Sequence, residues 1–233
     1  MLEISYVLLS LMMAAIIMIA NHLIGKKYFT SDLAWTSNTR KVMFFMIGMF
    51  TYIIVLSTTK VLVNYELPPR FIFVLFIPLV LFCTIFYRKN KNSAFIQSMP
   101  LHWTTLYQSF RVPVETLLLY TYLQGTIPIE ATFHGYNYDI IVGISALGIG
   151  YLTFKTGHKY RALLRAWNII GIAMVLFVAF IIATSIYQPQ ILGFSQPSVK
   201  HEFVQLPYLL IPSFLAPSAI FMHVVTLIQL NKK

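Results

Sequence analysis

The sequence predicts an all-α integral membrane protein: a bundle of seven transmembrane helices with its N-terminus outside and its C-terminus in the cytoplasm. Three observations support this fold class. The 233 residues are 58% hydrophobic and only 10% charged, whereas a soluble domain carries roughly 25% charged residues. Seven apolar stretches are long enough to span a bilayer. The basic residues alternate from one loop to the next, which is typical of a topology signal.

Each predicted span is a mostly uncharged stretch, and the connections between spans are too short to hold a soluble domain. A membrane-spanning helix needs about 20 mostly apolar residues, or somewhat fewer where the bilayer adapts to it. The stretches that qualify, all within a single domain of residues 1–233, are about 4–24, 43–63, 71–87, 104–124, 139–155, 166–188 and 205–230.

The ends of these spans differ in character. Residues 4–25 are uncharged and are followed by two lysines, while Glu3 stands where a signal peptide would carry basic residues. We therefore expect a retained first span. The third span is uncharged between Arg70 and Arg88, and the fifth is the shortest and begins at Asp139.

Loop charges predict the orientation. Basic residues are concentrated after spans one, three and five and in the C-terminal tail, and acidic residues favour the opposite side. The positive-inside rule then places the C-terminus in the cytoplasm, and we expect the bacterial inner membrane. The basic residues on the cytoplasmic side are Lys26, Lys27, Arg40, Lys41, Arg88, Lys89, Lys91, Lys155, Lys159, Arg161, Arg165, Lys232 and Lys233. The net charge of +10 is thus a topology signal, and it does not indicate a nucleic-acid partner.

Span four carries charges in an otherwise apolar helix. At the helical period, Thr104, Gln108, Arg111 and Glu115 fall within an arc of roughly 60°, so this face must contact protein or a water-filled cavity. Arg111 and Glu115 are four residues apart and can pair directly. Between them, Pro113 removes a backbone donor and is expected to kink the helix. Ionisable residues inside a membrane are costly, and their default interpretation is functional.

Other spans carry polar residues at a similar depth. Depth alone predicts that His22, Asn168 and His223 converge with Gln108 and Arg111 in the inner half of the bundle. A second polar group is predicted at the outer side, and its members are Glu130, His134, Asn137 and Asp139.

Two further spans have unusual composition. Span five presents Asp139, Gly143, Ala146 and Gly150 on one face, which favours close packing of another helix or, as the alternative, contact with a flat ligand. Span seven contains three prolines and is expected to be bent or locally irregular, which is tolerated where it faces protein or a cavity. These prolines are Pro207, Pro212 and Pro217.

The cofactor remains unknown from sequence. Haem ligation by His22 and His223 is one hypothesis, against an interpretation of both as packing or interfacial histidines, since no other haem signature accompanies them. No zinc site is predicted, because no His, Asp or Glu pair is spaced three or four residues apart on one helix. The single cysteine, Cys83, excludes a disulfide within the chain.

The leading functional hypothesis is a buried polar pocket that binds, and in one version transports, a small or lipid-like molecule. The predicted ligand-binding residues are Gln108, Arg111, Glu115, Asn168, His223 and Asp139, with Arg111 countering an anionic group and Glu115 tuning it or carrying a proton. One alternative is an intramembrane enzyme acting on a lipid or isoprenoid, with Glu115, His223 or Asp139 as acid or base. Another is a structural subunit of a membrane complex. The expected partners are membrane lipids, the ligand, and a membrane-protein partner or a second copy of the chain.

Overall fold

In the computed structural model of the chain, residues 1–231 are described and fold mainly into helix. The structure is 77% helix and has no strand in this part of the chain. Lys232 and Lys233, which the charge pattern assigned to the cytoplasmic tail, lie outside the described residues. In chain order the α-helices are α1 (Leu2–Tyr28), α2 (Asp32–Thr58), α3 (Ile77–Asn90), α4 (Ala94–Ser98), α5 (Leu101–Tyr107), α6 (Arg111–Leu123), α7 (Asp139–Thr156), α8 (Arg161–Tyr187) and α9 (Ala216–Gln229).

Six helices in this region are long and apolar enough to cross a membrane, which indicates a membrane-embedded protein. Two of them begin with a π-helical turn that continues into an α-helix. The six are Leu2–Tyr28, Asp32–Thr58, Ile72–Asn90, Asp139–Thr156, Arg161–Tyr187 and Ile211–Gln229. They correspond to predicted spans one, two, three, five, six and seven.

The fourth predicted span is divided, which accounts for the difference between six and seven. α5 and α6 have 7 and 13 residues and are joined by the 3₁₀ turn Gln108–Phe110. Pro113 lies in the first turn of α6, where its missing N–H disrupts the regular hydrogen-bond ladder. The three pieces nevertheless form one unbroken helical stretch, 101–123. Where the sequence predicted a kink at Pro113, the structure has a 3₁₀ turn just before α6.

Proline also explains the two π-helical turns, Ile72–Phe76 and Ile211–Leu215. Pro78 has no N–H to donate to the carbonyl of Val74, four residues earlier. The Tyr52 hydroxyl of α2 donates to that carbonyl at 2.8 Å. Satisfying such a group inside the protein is what makes an irregular helix tolerable in a membrane.

The predicted irregularity of span seven is confirmed in the same way. The π-helical turn contains Pro212 and immediately precedes α9, whose second residue is Pro217. Neither proline can donate to the carbonyl four residues before it. Of the candidate membrane spans, this helix is the most enclosed. In its apolar 18-residue segment 61% of the residues are buried, against 11% in the corresponding segment of α2. The proline-rich helix therefore lies at the centre, and α2 lies at the periphery with its apolar side chains outward.

The small residues of α7 allow α5 and α6 to pack closely against it. Asp139, Gly143, Ala146 and Gly150 are all buried. A Cβ atom added at Gly143 would lie 3.0 Å from both Cγ2 and the backbone nitrogen of Val112, and one at Gly150 would overlap the Leu106 side chain. The predicted helix-packing face is therefore confirmed.

The Tyr52 hydroxyl gives a test of this account of the π-helical turn. Tyr52→Phe removes only the donor to Val74, so the free energy of unfolding should fall by about 0.5–1.5 kcal/mol. Tyr120→Phe is the matched control, because Tyr120 is exposed on α6. Reversible unfolding in detergent–lipid micelles measures both variants. Equal stability of the two would contradict the role given to the hydroxyl.

Candidate functional site

The centre of the bundle holds one guanidinium group whose hydrogen bonds are all made to protein. Arg111 begins α6 and is 1% exposed. Its Nε donates to Gln108 Oε1 at 3.2 Å, and Nη1 donates to Asp139 Oδ1 at 2.5 Å. Nη1 and Nη2 each donate to the Gly171 carbonyl at 3.3 Å, and Nη2 lies 2.8 Å from His223 Nε2. Since a guanidinium has five N–H groups, every donor of Arg111 has a partner.

This arrangement fixes the state of His223. A guanidinium has no acceptor, so His223 Nε2 must accept the bond from Arg111. The other ring nitrogen, Nδ1, lies 2.7 Å from Asn168 Oδ1 and donates to it. The Asn168 amide nitrogen donates to the Leu164 carbonyl at 2.7 Å, which leaves its oxygen free to accept. His223 is therefore held as the neutral ring with its proton on Nδ1.

Gly171 also belongs to the network, although no sequence pattern predicted it as a site residue. A Cβ atom at this position would overlap the imidazole ring of His223. The glycine therefore lets the His223 ring and the Arg111 guanidinium lie against the backbone of α8. The signal in the sequence is a lone glycine within a long apolar helix, which often marks close approach of a neighbour.

A second cluster of polar groups adjoins the first. Asn137, just before α7, donates from Nδ2 to Glu115 Oε2 at 2.7 Å and to the Ala131 carbonyl at 3.1 Å. Its Oδ1 accepts from the backbone N–H of Asp139 at 3.0 Å. Asn137 thus connects the Glu115 carboxylate to the backbone of Asp139, and Glu115 itself is 1% exposed. The outer-loop residues Asn137 and Asp139 are therefore part of the central network.

The direct pair predicted between Arg111 and Glu115 is wrong. The ion pair of Arg111 is with Asp139. Within a helix, an acidic residue placed four residues after a basic one is the less favourable order. Asp139 is the first residue of α7, where the helix dipole also favours a carboxylate.

Four of the residues expected to share one depth do converge, and His22 does not. Gln108, Arg111, Asn168 and His223 are joined by the hydrogen bonds described above. His22 lies on the surface, with its ring 4.8 Å from the ring of Trp35.

The geometry does not support haem ligation by the two histidines. Both ring nitrogens of His223 are occupied by protein groups. Among residues 1–231, no cluster of three or more His, Cys, Asp or Glu side chains is arranged to hold a metal ion. Of the outer residues, His134 contacts the ring of Phe133, and Glu130 is partly buried in the loop.

A cavity of about 90 Å³ lies beside the network. Arg111, Glu115 and Asp139 line it, and aliphatic and phenylalanine side chains form the remaining walls. The walls come from the π-helical turn Ile72–Phe76, α3, α6, α8 and α9 with its π-helical turn. The charged residues of the wall therefore all belong to the hydrogen-bonded network, and the rest of the space is apolar.

The ion pair makes a direct prediction about stability. Asp139→Asn removes the carboxylate that forms the ion pair with the buried Arg111, so the free energy of unfolding should fall by about 3–5 kcal/mol. Arg111→Met combined with Asp139→Leu removes both charges and should recover part of that loss. Unfolding in detergent–lipid micelles gives the values, with the exposed Asp32→Asn as the control. A double variant no more stable than Asp139→Asn would contradict the pairing.

Comparison with known families gives one match. The model of a family described as a domain of unknown function (DUF8737) matches residues 68–231. No curated protein and no solved structure matches the chain. The matched region begins after α2 and contains every residue of the network and of the cavity wall. Because the match covers more than half of its length, the chain belongs to the DUF8737 family.

Proposed function

We propose that this protein binds a lipid-like amphiphile in the cavity beside Arg111, with the apolar part of the molecule between α3 and α8. The observation that carries the proposal is the composition of the cavity wall: two buried acidic side chains and an arginine among otherwise apolar side chains. Binding sites for small molecules commonly combine mostly apolar walls with a few placed polar groups.

We infer that the cavity opens toward the outer surface of the bundle between α3 and α8, which both pack against α9, because lining residues on both sides are partly exposed. Leu176 of α8 lines the cavity and is 36% exposed. Ala179 of the same helix, and Phe76 and Leu79 on the opposite side, also line it and are partly exposed. In a membrane this edge faces the lipid chains, so an amphiphile can enter sideways without crossing water.

The polar contact for such a ligand is Glu115. Arg111 has no free donor, which weighs against the hypothesis that it counters an anionic group. An intramembrane enzyme would need a free acid or base. His223 uses both ring nitrogens, and the charge of Asp139 is balanced by Arg111. Glu115 has an oxygen without a hydrogen bond and, among the described residues, no ion-pair partner.

A bulky side chain at the cavity edge tests the proposal. Ala179→Phe should fill the space between α3 and α8 and reduce the amount of bound amphiphile at least severalfold. Ala173→Phe is the matched control, because Ala173 is exposed on the same helix and is not part of the cavity wall. Native mass spectrometry of each purified variant counts the retained lipid. Equal retention by both variants would contradict binding in this cavity.

The proposal includes seven spans, with residues 101–123 as the fourth, the N-terminus outside, and the protein in a bacterial inner membrane. The support is the alternation of basic loops together with the unbroken helical stretch 101–123. A polar inward face on this stretch does not prevent it from spanning the membrane, because Gln108, Arg111 and Glu115 are enclosed by other helices.

Cysteine labelling tests both the crossing and the orientation. In a Cys83→Ser background, Tyr136→Cys should react with a membrane-impermeant maleimide added to intact spheroplasts, and Lys91→Cys should react only after lysis. Both positions are exposed. Labelling of both in intact cells would mean that 101–123 does not cross the membrane, and the reverse pattern would overturn the orientation.

A further inference from the structure

The charges around the cavity do not balance. Arg111 and Asp139 neutralise each other as an ion pair. Glu115 takes part in no ion pair among the described residues, and the five donors of Arg111 are all directed to other partners. An ionised Glu115 therefore has no cation of its own. A carboxylate buried without a cation costs several kcal/mol in an apolar environment.

One oxygen of Glu115 is available to a ligand. Oε2 accepts the hydrogen bond from Asn137. Oε1 has no hydrogen-bond partner in residues 1–231, and the residue lines the cavity. The Asn137 bond fixes the position of the carboxylate, so that its second oxygen is held in place beside the cavity.

The cavity wall also suits a positive charge. Phe71, Phe76, Phe110 and Phe203 all line it. The faces of aromatic rings carry negative electrostatic potential and attract ammonium groups. A carboxylate combined with phenylalanine rings is a common way of recognising a cationic amine.

The available space suits a small head group. A single water needs roughly 10–15 Å³ of cavity volume on this measure, so about 90 Å³ holds several waters or one compact ammonium group. The apolar walls between α3 and α8 offer no polar partner for the rest of the molecule, which must then be a hydrocarbon chain.

We propose that the head group bound beside Glu115 is an ammonium cation carried by an apolar chain, so that the ligand class is a lipid-like amine. This inference rests on the proposed function of the cavity and specifies its ligand. An anionic head group would meet two carboxylates and an arginine with no free donor. A neutral head group would offer an ionised Glu115 no counter-charge.

Three probes with the same tail and different head groups test the inference: dodecylamine, dodecanol and dodecanoate. Calorimetric titration into the purified full-length protein in a non-ionic detergent measures each affinity. The wild-type protein should bind the amine about tenfold more tightly than the alcohol, a ratio equivalent to about 1.4 kcal/mol, and the carboxylate most weakly. Glu115→Gln should bring the amine-to-alcohol ratio close to one without weakening binding of the alcohol. Glu202→Gln, at an exposed position, should keep the wild-type ratio.

The possible outcomes separate this inference from the proposed function. Equal affinity for amine and alcohol, with both reduced by Ala179→Phe, would overturn the amine inference and leave the proposed function intact. Tighter binding of dodecanoate would also overturn the inference. If none of the three probes bound, the proposed function would be overturned. Should Glu115→Gln not fold, the wild-type ratio decides the matter by itself.

Discussion

Burial of the Arg111 guanidinium is the constraint on which the rest of this structure depends. An arginine remains charged in a protein, and inside a membrane its donors cannot be left without acceptors. The acceptors come from four separate parts of the chain: the 3₁₀ turn at Gln108, the start of α7 at Asp139, the middle of α8 at Gly171 and the middle of α9 at His223. One side chain therefore sets the positions of three helices relative to α6.

Meeting that constraint imposes conditions on the surrounding backbone. The central helices approach so closely that α7 and α8 need glycine at Gly143 and Gly171. The helices that carry the network are also irregular, with a 3₁₀ turn before Pro113 and a π-helical turn before Pro217. Such irregularities are common at functional sites, and inside a membrane they are tolerated because protein groups replace the lost backbone bonds. The same region that neutralises Arg111 leaves room for a cavity.

The second carboxylate separates a purely structural network from a candidate binding site. If the polar cluster served only to hold the helices together, the pair of Arg111 and Asp139 would be sufficient, since its charges cancel. Glu115 adds a carboxyl group that has no ion-pair partner among the described residues, and it is held by Asn137 next to an apolar cavity. This second acidic group is the physical basis for the proposed ligand and for its proposed positive charge.

The sequence by itself determined the membrane class, the positions of six long apolar helices and the inward face of Gln108, Arg111 and Glu115. These properties follow from hydropathy and helical period, which depend on neighbours along the chain. Only the tertiary structure decided which carboxylate pairs with Arg111, because Glu115 and Asp139 have the same charge and differ in how the chain brings them to the guanidinium. For the same reason, the sequence did not predict that Asn137 belongs to the central network or that position 171 requires glycine. Residues distant in sequence meet only when the helices pack, and no local pattern records the distance between them.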